Sequence, residues 1–199
     1  PLAAVTLRTS GVGCLYSVWP RRLGTERLIG HPAFLDIGRF KRDDQRLTSA
    51  PVHPRSAAMS PPTDIHHASP MAMKAMQAFE QAVDHLPLEP SLMTLVRLRV
   101  SQLNGCAASV DHYAHQASLQ GESERKLYAV AVWRESPLFS DREHAALNWA
   151  ESITHIATSH APDADYLWLS QHFNDAERVD LTLLIAAVNS CNRVAISLR

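Results

Sequence analysis

Glycine almost disappears from most of this chain. Five of its seven glycines fall in residues 1–58, and only Gly105 and Gly121 stand in residues 59–199. Strand signals are missing as well: no sustained alternation of apolar and polar residues occurs, and no hairpin dipeptide sits between apolar runs. Cysteine is scarce. Cys14, Cys106 and Cys191 are odd in number and irregularly spaced, which excludes a disulfide framework and fits a reducing cytoplasm. Net charge is nearly absent, at −1, which argues against a dedicated nucleic-acid partner. No apolar run approaches the length that crosses a bilayer, so no membrane partner is expected.

What is present divides into two unlike parts. Residues 1–58 carry nine Lys+Arg against four Asp+Glu and show no persistent period, so they read as a poorly ordered or non-native extension. An Arg-rich, acid-poor segment also has the composition of a transit peptide. From Met59 onward, apolar residues recur at three- and four-residue spacing, and hydrophobic residues make up 46% of the whole chain. An all-α domain over 59–199 is expected.

Its punctuation is legible. Ser69-Pro70 starts a helix with Met73, Met76, Phe79 or Glu80, Val83 and Leu86 along it, and Pro87 stops it. Pro90 opens a second helix that Asn104-Gly105 ends. A third starts near Cys106 and stops before Gly121. A fourth runs from about Ser123 to before Pro137. Ser140-Asp141-Arg142-Glu143 is a capping box for a fifth. Asp163 is expected to cap a short sixth helix, and Asn174-Asp175-Ala176-Glu177 repeats the capping pattern for the last. That last helix is apolar nearly all round from Leu181 to Val188, which predicts burial or a subunit interface.

The chemistry concentrates at Cys106. It follows a helix break, where exposed N–H groups and a positive dipole end favour a thiolate; an isolated cysteine equally suits apolar packing. A Cys-x-x-Cys pair works because the first helical turn brings two sulfurs together. Here the second place holds Ser109, which forms no disulfide. His112 and Tyr113 lie three and four residues beyond Ser109 and can share its face. A Ser–His nucleophile pair at Ser109 and His112 lacks any oxyanion-hole signal. His112 and His115 match no metal-binding pattern, and they read, like His66, His67, His155 and His160, as solvated histidines. No metal or cofactor is expected. Cys191 reads as a packing residue.

Leu95 to Cys106, reading LVRLRVSQLNGC, resembles the signature of the carboxymuconolactone decarboxylase or AhpD-like family. Val110-Asp111, Gly121-Glu122, Trp133-Arg134-Glu135-Ser136-Pro137, Trp149-Ala150-Glu151, Val179-Asp180-Leu181-Thr182, Ala186-Ala187-Val188-Asn189 and Asn192-Arg193 continue it through about residues 59–199. The resemblance implies an AhpD-like helical bundle, usually a homo-oligomer, and a peroxiredoxin-like alkylhydroperoxidase activity. In that scheme the second cysteine of the pair attacks the peroxide, the first resolves it, and a histidine and a glutamate relay protons. Matched residue by residue, Cys106 keeps the first cysteine's place, Ser109 takes the second, Tyr113 takes the histidine's with His112 one step out of register, and Thr94 takes the glutamate's. The resemblance thus implies a peroxidase site whose activity is weak, altered or lost. A one-cysteine route through Cys106 would need an external thiol reductant or Cys191 to resolve it. The alternatives are a non-catalytic helical oligomer serving as a binding or scaffold module, and a decarboxylase-type lyase using histidine as acid–base group.

Overall fold

The computed structural model describes residues 63–198. The expectations for residues 1–58, Cys14 among them, lie outside the described residues. Among those described, every regular element is helical. Asp64 caps a one-turn α1 (Ile65–Ala68) by accepting from the His67 N–H. Pro70 then occupies the first position of α2 (Pro70–Asp84), where its missing N–H costs nothing. Ser69 precedes it, yet its side chain makes no capping bond. Met73, Glu80 and Val83 are the residues α2 buries.

Helix α3 (Pro90–Asn104) is the centre of the bundle, with α4, α6 and α9 packed around it. Leu92 to Leu98 are buried without a gap, and Val100 and Ser101 follow. Such a run leaves no solvent face over two turns. Gly105 ends the helix at φ 69°, ψ 28°, and its N–H closes on the Ser101 and Gln102 carbonyls. That left-handed residue turns the chain directly into α4 (Ala107–Leu119), with Cys106 at the N-cap position.

The expected single helix after Ser123 is two pieces. Helix α5 (Glu124–Ala129) is capped by Ser123. A 3-10 segment, Val130–Glu135, follows, and Val132 departs from helical geometry inside it. The tighter pitch eclipses residues three apart. It thereby buries both Val130 and Trp133, while Val132 stays 64% exposed. Helix α6 (Asp141–Thr154) has the anticipated Ser140/Glu143 capping box. A further turn, α7 (Ile156–Ser159), was without a sequence signal. Helix α8 (Asp163–Ser170) has Pro162 at its N-cap, so Asp163 is its first residue and not its cap.

Helix α9 (Asp175–Ser197) has the second capping box, Asn174/Glu177. By length and mean hydropathy, 1.4, it does reach what a bilayer span requires, contrary to the expectation that no run would. The apolar stretch continues through the helix on both sides of polar Asn189-Ser190 and Asn192. Its packing is that of a core helix: Leu181, Leu184, Ile185, Ala187 and Val188 are buried, and Asn192 donates to Ser101 of α3. Leu183, within the run expected to be buried or part of a subunit interface, is 42% exposed.

A Cβ at Gly105 would meet nothing within 4 Å. Only backbone conformation therefore opposes a side chain there. Gly105→Ala should lower unfolding free energy by about 1–2 kcal/mol, and Gly105→Asn by less, since Asn tolerates this region. Urea midpoints for the two variants check the order.

Candidate functional site

The α3–α4 junction places Cys106 and Ser109 on the first turn of α4. The Cys106 backbone N–H bonds to the Ser101 carbonyl at 3.0 Å, and the Val110 N–H to the Cys106 carbonyl at 3.0 Å. This fixes Cys106 relative to both helices. Its sulfur and Ser109 Oγ then lie 3.0 Å apart and share a hydrogen bond that either can donate. Both residues are buried, Ser109 completely. A disulfide needs two sulfurs at about 2.05 Å; one sulfur and one hydroxyl at hydrogen-bonding distance cannot form it.

Tyr113 is buried one turn further along α4. The Arg97 guanidinium lies 5.9 Å from its ring centre, so the histidine's place is taken by an aromatic ring facing a cation. His112 is half-buried and meets Tyr113 edge-on, with ring centres 5.0 Å apart. The expectation that it is a solvated surface residue therefore fails. Burial, and then the positive charge of Arg97, hold its imidazole below the ordinary 6.5. His115 is exposed. Thr94, in the glutamate's place, is fully buried and its hydroxyl donates to the Pro90 carbonyl at 2.9 Å. That is a helix-internal bond with no acid–base role. Among the described residues no group of three or more His, Cys, Asp or Glu is placed to hold a metal ion.

A second constellation lies on the side of α3 that faces α2 and α9. Glu80, Asp84, Arg97, Tyr113 and Cys191 line a cavity with Val83, Ala187 and Val188. Arg97 Nη2 contacts Asp84 Oδ1 at 2.5 Å. The Cys191 thiol donates to Glu80 Oε1 at 2.5 Å. Burial pushes the Glu80 carboxyl above its ordinary 4.5, against the lowering effect of the thiol's hydrogen bond. Sequence reasoning missed this group because its members are far apart in the chain. One signal was available: an acid at position 80, on the same helical stripe as Met73 and Val83.

Known proteins share this arrangement of helices. A sequence profile of the carboxymuconolactone decarboxylase family matches residues 70–152, a span that includes Cys106 and Ser109. The uncharacterized protein YdfG of Bacillus subtilis (strain 168) is 34% identical over 140 residues, covering 70% of this chain and 95% of YdfG. The chain belongs to the carboxymuconolactone decarboxylase family. A crystal structure of an Agrobacterium tumefaciens protein of unknown function, described as an AhpD antioxidant-defence protein, is similar at 39% identity. Its TM-score is 0.67, over 69% of this chain and 94% of that one. The AhpD core of a peroxidase-related protein from Ralstonia eutropha JMP134 shares the fold at 21% identity and a TM-score of 0.58, over 67% and 73%. The all-helical AhpD-like fold expected for this family is the fold observed.

The folded chain resists protonation of His112, whereas the unfolded chain accepts a proton near 6.5. The stability contribution of His112 is thus complete above 6.5 and is lost as pH falls toward the folded value. In an NMR titration His112 should titrate below 6.5. Removing the ion pair as Asp84→Asn with Arg97→Gln should move it upward. A titration at or above 6.5 in the unmodified protein would contradict the burial assigned to this ring.

Proposed function

We propose that this chain is an AhpD-type protein in which Cys106 alone retains the family's thiol chemistry. The observation that carries the reading is the buried Cys106–Ser109 hydrogen bond at 3.0 Å. It places a hydroxyl where the family's second sulfur would stand. Serine cannot replace a thiolate that attacks peroxide, because its hydroxyl is neither ionised at neutral pH nor oxidised and recycled. The dithiol reaction is therefore lost.

Chemistry that needs one thiol remains. A hydroperoxide transfers one oxygen to the Cys106 sulfur, the O–O bond breaks, and an alcohol or water leaves with the thiol proton. The product is a sulfenic acid. An external thiol then condenses with it, releasing water and leaving a mixed disulfide. A second external thiol attacks the sulfur of the first, the two leave as a disulfide, and Cys106 is released as the thiol. Ser109 steadies the sulfur through its hydrogen bond, and the near-complete burial of Cys106 slows access. The reading includes weak turnover, an external thiol reductant, and a homo-oligomer built on the exposed apolar residues of α9, Val179 and Leu183. The antioxidant role ascribed to the Agrobacterium relative supports it.

Site-resolved mass spectrometry tests this. Cleavage after arginine puts Cys106 and Cys191 on separate peptides, because Arg125 and Arg178 lie between them. The full chain is exposed to a hydroperoxide, which is then removed, and the protein is quenched into denaturant containing a 1,3-diketone trap. The Cys106 peptide should carry the trap, and in the presence of a monothiol it should carry that thiol instead. A Cys106 peptide left as free thiol after excess hydroperoxide would refute the reading.

A further inference from the structure

We propose that Glu80 and Cys191 form a second thiol site, separate from Cys106, that reacts with hydrogen peroxide and excludes bulky organic hydroperoxides. The pair is built across two helices, α2 and α9, with the thiol donating to Glu80 Oε1. Both residues are more than nine-tenths buried, Glu80 at 8% and Cys191 at 3% exposure. They line the cavity described above, and Arg97 lines it with them. A nucleophile, a hydrogen-bonded base and a cation therefore face one small space, which is the arrangement that activates a weak nucleophile. Packing alone accounts for a buried cysteine. It does not account for an acid kept in the interior beside that cysteine, at a cost that burial imposes on any carboxylate.

The cavity measures about 20 Å³. That is the space open to the centre of a water-sized molecule, so a molecule of that size fits, and the sulfur at the cavity wall is only 3% exposed. Hydrogen peroxide is of that size; an aryl hydroperoxide is not. Asp84 sits at the cavity edge with its side chain 31% exposed, which gives the space a polar route to solvent.

The step balances without a further reactant. The Cys191 thiol passes its proton to Glu80 as the sulfur attacks one peroxide oxygen. An S–O bond forms, the O–O bond breaks, and the departing hydroxide takes the proton from Glu80 to leave as water. Sulfur loses two electrons and the two peroxide oxygens gain one each. Cys191 ends as a sulfenic acid and Glu80 as the carboxylate it began as. Arg97, held beside Asp84, offsets the charge that develops on the departing oxygen.

The same site-resolved trapping reads this out on the Cys191 peptide, independently of Cys106. The full chain is treated with hydrogen peroxide or with cumene hydroperoxide, each removed before the quench into denaturant and trap. Hydrogen peroxide should label Cys191 and cumene hydroperoxide should not. Glu80→Gln keeps the side-chain shape and removes the base; it should slow labelling of Cys191 by about tenfold or more while leaving the Cys106 rate unchanged. The proposal is overturned if Cys191 stays unlabelled in the native protein while the unfolded chain labels. It is overturned equally if both peroxides label it alike, a comparison that needs no variant, or if Glu80→Gln labels as fast as the parent.

Discussion

The burial of α3 on nearly every side commits the rest of the bundle to satisfying its polar groups from within. A buried polar atom without a partner costs about 1–3 kcal/mol, and α3 brings several inside. Thr94 bonds within the helix, to the Pro90 carbonyl; the others are answered from other elements. Asp84 of α2 meets Arg97, and Glu151 of α6 takes both Arg99 and the indole N–H of Trp133. Asn192 of α9 donates to Ser101. Asn189 of α9 accepts from Asn104 and donates to Thr154 of α6. These bonds fix the rotation of α3, and with it where Gly105 turns the chain. The position of Cys106 follows from that turn.

The site is accordingly a fixed pairing of one buried thiol with one buried hydroxyl. The scaffold is that of the family, and Cys106 stands at the N-cap of α4. Serine at position 109 bears on the proposed reaction more than on the structure. A hydroxyl and a thiol pack alike and both hydrogen-bond, so the fold accepts the exchange. Only the sulfur can cycle through oxidation. On the proposed reading the difference is therefore electronic, and the geometry around it is kept.

Much of this was legible in the sequence because the signals are local. The two capping boxes, Pro70 and Pro90 at first helical positions, and Gly105 each act through bonds within four residues, and each is found where it was expected. The signals that failed depend on tertiary contacts. Val132 breaks the helix after Ser123 because Val130 and Trp133 must both face inward. His112 is half-buried because Tyr113 beside it turns into the bundle against Arg97. Glu80 and Cys191 are 111 residues apart; no spacing rule links them. Asp163 was expected as a cap from residue type alone, and Pro162 holds that position with no side-chain capping bond formed.

The central claim is that the first turn of α4 retains the geometry of a redox pair and lacks only its second sulfur. The most direct measurement is the intact mass of Ser109→Cys after stoichiometric hydroperoxide, with the bond located by peptide mapping. The account predicts an internal disulfide between Cys106 and the introduced thiol in this variant, seen as the loss of two hydrogens and reversed by a dithiol, and none on the Cys106 peptide of the unmodified chain. Failure of the variant to close that disulfide would contradict it.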